Sequence, residues 1–437
     1  MNNRLKNIQA SAVTGLIARI VGVLSSVLVV SISVDYLGAD GYGYWVAATS
    51  FLAVLSFADG GAGNSVVNKV ASASRSKISE LPVIISSAYI VMLAFAFVGG
   101  CIFSVANSYF DWVDVLGGRG KVPERDAQLI VVVAASSFFI GIITSLVYKI
   151  QRGFQNGARE NFWLGLTAVL LGLSAYAARY FDVGLIWYAV LVSYVPIFVQ
   201  VIATLHFVWA EKNINFRGST IFSLEISLEL VRKGGVFLVL QVASAVQGQM
   251  DNVIISKMIG PSAVAQYSVC MKLFLMPMMF YGVVLNPLWP AYREALAAND
   301  FNWIKNSFGG VLKISFAIGV FFALVMILAS GFIIDIWVGS EYVPSYILRI
   351  GCGIWLFLNI IGGALAVFLN GMEILRPQLI IAAVTTMFNL IITISLVPLI
   401  GVSGAVWGSV LAYAVFALLP SFLLVRKSIN SFAFNHG

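Results

Sequence analysis

Tyr36-Leu37-Gly38-Ala39-Asp40-Gly41-Tyr42-Gly43 is a short glycine-rich turn set between two long apolar runs, and the reading of those runs decides the fold. The run from Gln9 up to the turn, and the run from the turn to about Lys69, are each long enough to cross the ~30 Å of hydrocarbon in a bilayer at ~1.5 Å per helical residue. Each carries one full charge where a lipid-facing helix carries none: Arg19 in the first and Asp59 in the second. A charge at that depth costs about 2.5 to 3.5 kcal/mol on insertion scales, so it turns toward a partner or a water-filled cavity. The neighbours on the same helical faces agree. Ser11, Gly15, Gly22 and Ser26 accompany Arg19, and Thr49, Ser56 and Gly63 accompany Asp59, small and polar stripes that mark faces turned from lipid.

Composition extends this reading to the whole chain. Of 437 residues 60% are hydrophobic and only 10% charged, with a mean hydropathy of +0.94, whereas soluble domains carry about 25% charged residues. The expected class is an all-α polytopic membrane protein. The net charge of +7 then reports cytoplasmic loops and gives no indication of nucleic-acid binding. Cys101, Cys270 and Cys352 all fall inside apolar runs, with no metal-ligand spacing and no disulfide framework; they are expected to be buried small hydrophobes. His206 and His436 form no catalytic constellation, and no cofactor is implied.

Twelve spans are expected, over 9–35, 42–68, 81–106, 127–149, 161–179, 185–209, 235–257, 264–289, 308–330, 346–369, 377–397 and 402–425. Arg4 and Lys6 precede a first run too long for a signal-peptide core, so it reads as an uncleaved span. Loops that would share a side with the N-terminus hold 18 basic residues against 6 on the other side. That bias places both termini in the cytoplasm. The connections are too short to fold as domains of their own. The organisation expected is an N-terminal bundle over 1–212, a linker over 213–234 and a C-terminal bundle over 235–437. The segment 210–234 mixes Glu225, Glu229, Arg232 and Lys233 with Ile221, Phe222, Leu224, Ile226, Leu228, Leu230 and Val231, the pattern of an amphipathic interfacial helix. Pro277, Pro287 and Pro290 predict a bent or broken eighth span.

The second half echoes the first. Asp35-Tyr36-Leu37-Gly38 with Trp45 matches Lys257-Met258-Ile259-Gly260 with Tyr267. Gln151-Arg152-Gly153-Phe154 matches Leu369-Asn370-Gly371-Met372, and Trp187 matches Trp407. An even number of spans per repeat gives two six-helix bundles related by a pseudo-two-fold axis along the membrane normal, with a substrate site between them. The in-membrane charges repeat too. Asp251 and Lys272 lie at similar depth in spans seven and eight, and Gln241, Ser244 and Gln247 share the Asp251 face. Two arrangements fit these four charges: static ion pairs that hold helices together, or a cavity in which bases hold an anionic group and an acid couples a cation. Asn359, Gly363, Ala366 and Asn370 form a stripe on span ten. Thr385, Thr386, Asn389 and Thr393 make span eleven polar, most simply for helix–helix hydrogen bonds.

Tyr36-Leu37-Gly38 with Tyr42-Gly43-Tyr44-Trp45, then Asp59-Gly60-Gly61-Ala62-Gly63-Asn64, resembles the start of the Wzx-type polysaccharide-exporting flippases. So do Asp251 to Tyr267 around Gly260, and Pro287-Leu288-Trp289-Pro290-Ala291-Tyr292-Arg293-Glu294-Ala295 followed by Asn299-Asp300. The resemblance runs through nearly the whole chain. It implies the multidrug/oligosaccharidyl-lipid/polysaccharide exporter fold, two MATE-like six-helix bundles working by alternating access. It also implies an oligosaccharide on an undecaprenyl diphosphate carrier as substrate, moved across a bacterial inner membrane for O-antigen or lipopolysaccharide synthesis. With that substrate, Arg19, Lys272 and Gln247 are the candidate substrate-binding residues. Asp59 and Asp251 are candidates for coupling to H+ or Na+. Partners would be the lipid-linked oligosaccharide, membrane lipids and a polysaccharide polymerase or chain-length machinery. A drug or organic-cation antiporter of the same fold is the nearest rival, though it favours acids unmatched by bases. A polymerase or ligase would carry catalytic groups on a large outer loop. The longest such loop, 107–126, holds Asp111, Asp114, Arg119, Lys121, Glu124, Arg125 and Asp126 in no catalytic arrangement. The chain is therefore read as a non-enzyme.

Overall fold

The computed structural model describes residues 2–55, 61–76, 78–154, 156–211, 222–285 and 287–434. Among them there is no strand, and ten helices are long and apolar enough to cross a membrane. The chain divides into two compact units, Met1–Ala245 and Val246–Gly437.

The N-terminal unit begins with α1 (Asn2–Val54), which contains the turn that organises the sequence. Gly38 takes φ 69°, ψ 173° there, a left-handed conformation that a side chain would resist, and it separates two helical stretches. The glycine turn thus divides α1 into the two spans expected on either side of it, which is compatible with twelve spans. The second expected span is itself interrupted. Helix α1 ends at Val54, and α2 (Ala62–Ser76) starts after Gly61 at φ 70°. Asp59 lies outside the described residues. The unit continues with α3 (Leu81–Tyr109), α4 (Trp112–Val115), α5 (Glu124–Thr144), α6 (Leu146–Gly153), α7 (Gly157–Tyr180) and α8 (Gly184–Ala210).

At the Gly38 end of this unit, polar groups tie the turns together. Tyr36 Oη donates to Asp182 Oδ1 at 3.0 Å and accepts from the Gly184 amide at 2.7 Å. Arg179 pairs with Asp35 at 2.5 Å, and Trp45 sets its ring edge-on to Tyr188 at 6.0 Å. In the loop over 107–126, Arg119 pairs with both Asp111 and Asp114. Asp111 accepts from the Val113 amide at the start of α4 and pairs with Arg119 at 2.7 Å. That hydrogen bond from Arg119 holds the Asp111 carboxyl below its ordinary value.

Helix α9 (Leu224–Met258) is the linker and the seventh span in one. Of the segment expected to be an amphipathic interfacial helix, 212–221 lies outside the described residues; from Leu224 on it is helical, and its apolar residues divide. Ile226 and Leu230 join the core with Val66, Ile84, Leu146 and Phe207, while Leu224 and Leu228 face outward. The Ser223 amide bonds Ser87 Oγ at 3.0 Å. Glu229 accepts from Lys233 at 2.6 Å and from Lys69. At Gly61, an added Cβ would stand 2.2 Å from the Gly234 carbonyl oxygen, so only glycine allows these two backbones to touch.

The C-terminal unit holds the rest of α9 with α10 (Pro261–Leu285), α11 (Leu288–Ala297), α12 (Phe301–Val338), α13 (Tyr346–Gly371), α14 (Leu375–Ile400), α15 (Ser403–Ala412) and α16 (Leu419–Phe434). Pro277 sits inside a continuous α10; the interruption in the eighth span comes just before α11, beside Pro287. The order echoes the N-terminal unit. Gly260 at φ 132° stands where Gly38 does, and Gly401 at φ 64° lies in the turn equivalent to the one that holds Asp182 at φ 48° and Gly184 at φ 80°. Gly153 presses on Val70 of α2, and Gly371 presses on Tyr292 of α11. Gly404 and Gly408, four apart on α15, let that helix lie directly on the backbone of α14 at Leu396–Val397 and Thr393. Between α15 and α16 the helix widens into a π turn over Tyr413–Leu418. Cys270 and Cys352 are buried as expected, their sulfurs 3.6 Å apart. Cys101 is exposed on the outside of α3, because the whole outer face of a spanning helix is apolar and burial does not follow from hydropathy there.

Two outcomes follow. Gly408→Val would place a Cβ 2.3 Å from Thr393 Oγ1 and 2.8 Å from its backbone. It should cost at least the ~1–3 kcal/mol of overpacking and lower the thermal midpoint of purified protein, while Leu411→Val, on an exposed position of the same hairpin, should not. The Glu229 carboxyl is held below its usual 4.5 first by Lys233 and then by Lys69. Its contribution is therefore present at neutral pH and is lost as pH falls through the lowered value. Hydrogen-exchange protection of 224–234, taken relative to the intrinsic rate at each pH, should fall severalfold at most on acidification, since exposed pairs contribute under ~1 kcal/mol, and Glu229→Gln should remove that dependence.

Candidate functional site

The C-terminal unit encloses the best-defined polar site. Asp251, on α9, is 6% exposed. An isolated carboxylate there would cost several kcal/mol, so its partners decide whether the site is viable. It has two. Tyr267 Oη of α10 donates to Oδ2 at 2.7 Å, and Ser409 Oγ of α15 donates to the same oxygen at 3.2 Å. Asn389 Nδ2 of α14 then donates to Ser409 Oγ at 2.8 Å. Four helices thus converge on one carboxylate through neutral groups, with no cation in contact among the described residues.

Around this chain, acceptors are left over. Asn389 Oδ1, Thr385 Oγ1 and Thr393 Oγ1 are buried without a partner among the described residues. They recur every four residues, a single stripe on α14. Gln247 stands one turn before Asp251 and donates to Thr386 Oγ1 of α14 at 3.0 Å. It also lines a cavity of about 150 Å³ with Gln378, Thr385, Tyr413 and Ser421, closed by aliphatic side chains. The site can therefore hold a small cation or proton at Asp251 and a neutral polar group in the cavity beside it.

The residues singled out from sequence fare differently. Gln247 and Asp251 come together on one face of α9. Lys272 is half-buried on α10 and does not pair with Asp251; of the two arrangements considered, a static Asp251–Lys272 ion pair is not formed. Arg19 is half-buried on α1, next to Ala18, which packs against Gly165 of α7, and it pairs with no other described residue. Tyr267, Ser409 and Tyr413 are the residues missed. Only the Gly260–Tyr267 repeat pointed at any of them, and it pointed for a different reason.

These features define a multi-pass membrane protein built for transport: long apolar helices, glycine-mediated packing, and one buried carboxylate held by neutral donors inside a unit. The chain belongs to the polysaccharide biosynthesis protein family, whose model matches residues 5–295; the MatE model matches residues 238–394. A protein of Yersinia pseudotuberculosis named for O-antigen export is 25% identical over 371 residues, 82% of each chain. A Salmonella typhi protein named for O-antigen transport is 22% identical over 420 residues, 93% of this chain and 94% of that one. Among solved structures, an inward-facing multidrug resistance MATE family transporter of the MOP superfamily has the same fold (TM-score 0.77, 16% identity, 98% of this chain and 100% of that chain). So does the lipid II flippase MurJ in an inward closed conformation (TM-score 0.72, 12% identity, 97% and 90%). The chain is a membrane transporter of the polysaccharide biosynthesis protein family, with a MATE-like fold, and not an enzyme.

Removing the tyrosine donor leaves the Asp251 carboxylate with one partner. Tyr267→Phe should destabilise the purified protein by about 1.5–3 kcal/mol, the usual loss for a hydrogen bond to a charged group. Combined with Asp251→Asn the loss should be clearly less than additive, which a double-mutant cycle of unfolding measurements reads directly.

Proposed function

We propose that the protein is a flippase that moves an oligosaccharide carried on undecaprenyl diphosphate from the cytoplasmic to the periplasmic leaflet of a bacterial inner membrane, as a step in O-antigen-type polysaccharide synthesis. The observation that carries this reading is the similarity, over more than four-fifths of both chains, to two relatives named for O-antigen export and transport. In this proposal both termini are cytoplasmic and transport proceeds by alternating access. The product passes to a polysaccharide polymerase with its chain-length machinery.

The chemistry supports the assignment. A diphosphate is strongly anionic, and Arg19 and Lys272 are basic groups within apolar helices that can attract it, the guanidinium by paired hydrogen bonds. Gln247 can bond sugar hydroxyls. Asp251 is the coupling group: held among the described residues by the hydroxyls of Tyr267 and Ser409, it can exchange a proton or bind Na+ without breaking an ion pair there. Asp59 is assigned the equivalent role in the N-terminal half from its place in the sequence. A multidrug antiporter is the alternative that the same fold permits.

A strain lacking the protein should accumulate a complete oligosaccharide repeat unit on undecaprenyl diphosphate, inaccessible to reagents added outside the inner membrane, and should lose surface polysaccharide. Complementation with Asp251→Asn should restore protein level but little polysaccharide. Intact surface glycan with raised sensitivity to organic cations would move the function to the drug-exporter class, and single units stranded on the outer face would place the defect at polymerisation.

A further inference from the structure

The cavity beside Gln247 has a chemistry of its own. It lies within the C-terminal unit, between α9, α13, α14 and the π turn that follows α15. Its volume of about 150 Å³ is room for some five waters at ~30 Å³ each, or for one monosaccharide ring. Neither acid nor base lines it. A diphosphate would find no cation there, and an organic cation would find no carboxylate.

The polar groups that do line it are spare. Gln247 uses its amide nitrogen on Thr386, and Gln378 uses its own on Asn370 Oδ1 and the Ile374 carbonyl. Among the described residues, each amide oxygen is left without a donor. The hydroxyls of Tyr413 and Ser421 likewise have no partner there. Thr385 is 2% exposed, yet its Oγ1 is unpartnered too. Thr385 is buried and the other four are partly buried at the cavity wall; with their oxygens unmatched among the described residues, the cavity suits a ligand rich in neutral donors.

Two backbone features hold this opening in place. The π turn over Tyr413–Leu418 inserts an extra residue into the last span, a device that is common at functional sites. At Gly362 an added Cβ would stand 1.9 Å from Tyr413 Oη, so the absence of a side chain there is what admits the tyrosine hydroxyl between the helices. Trp355 fixes the tyrosine ring from the other side, edge to face at 5.4 Å.

We infer that this cavity is a subsite for one uncharged sugar ring of the transported glycan, bound by Gln247, Gln378, Thr385, Tyr413 and Ser421. The inference rests on the flippase reading and assigns a glycan ring, rather than the diphosphate, to this cavity.

The test uses the full chain in lipid nanodiscs and two probes: the undecaprenyl-diphosphate-linked oligosaccharide extracted from the strain lacking the protein, and bare undecaprenyl diphosphate. Wild type should bind the glycolipid about tenfold or more tighter than the bare carrier. Thr385→Val with Tyr413→Phe, which removes two hydroxyls at nearly constant volume, should erase most of that margin and leave affinity for the bare carrier unchanged. Ala382→Leu, which fills the same cavity, should do likewise, and the thermal midpoint of each variant checks its folding. Equal losses for both lipids would make the cavity a packing feature, and unchanged binding of both would make it a water pocket; either overturns the subsite alone. Failure of wild type to bind either lipid would overturn the flippase reading itself.

Discussion

Hydrocarbon offers no hydrogen-bond partner, and that single constraint runs through both units of this protein. Backbone groups at membrane depth must be satisfied within the chain, so the described residues form helices joined by turns and loops, with no strand among them. Helices in lipid gain nothing from burying leucine against leucine, so close association depends on small residues that let backbones touch. Gly404 and Gly408 on α15, Gly153 against α2 and Gly61 against Gly234 are the places where this happens. The same constraint makes each interior polar group expensive, and therefore informative.

Asp251 is the clearest case. A structural charge in a membrane is most cheaply held by an opposite charge. Here the carboxylate is instead held by a phenol and a serine, the serine in turn by an asparagine. Neutral donors stabilise the anion without fixing its protonation state as firmly as a cation would. The α14 stripe that carries Asn389 has oxygens without a partner among the described residues, and a neutral, hydroxyl-lined cavity opens one helical turn away at Gln247. Charge handling and neutral recognition thus occupy adjacent stretches of the same helices, an economical layout for a carrier whose proposed cargo has an anionic head and an uncharged glycan.

The N-terminal unit shows how the linker is controlled. Helix α9 does not merely rest at an interface: Ile226 and Leu230 are packed into the core of this unit, Glu229 is bridged by Lys69 and Lys233, and Gly234 abuts Gly61. The turn at Gly38 is tied by Tyr36 to the turn at Asp182 and Gly184. Both ends of the unit are therefore fastened by side chains whose partners are far away in sequence.

Periodicity and composition alone determined the membrane class, the approximate span positions, the repeat of glycine turns and the identity of the in-membrane charges, because lipid imposes a length and a polarity on each segment independently of its neighbours. The choice of Gln247 and Asp251 as residues turned from lipid followed from the same one-helix argument. What the tertiary structure alone decided was pairing. Asp251 meets Ser409, 158 positions away, and not Lys272 at similar depth; Gln247 meets Thr386, 139 positions away. Tyr413 enters a cavity because a π turn rotates it and Gly362 makes room. Depth along a helix can be counted from sequence, but the angle at which helices face one another is set by side-chain packing between distant segments, and that angle selects which polar groups meet.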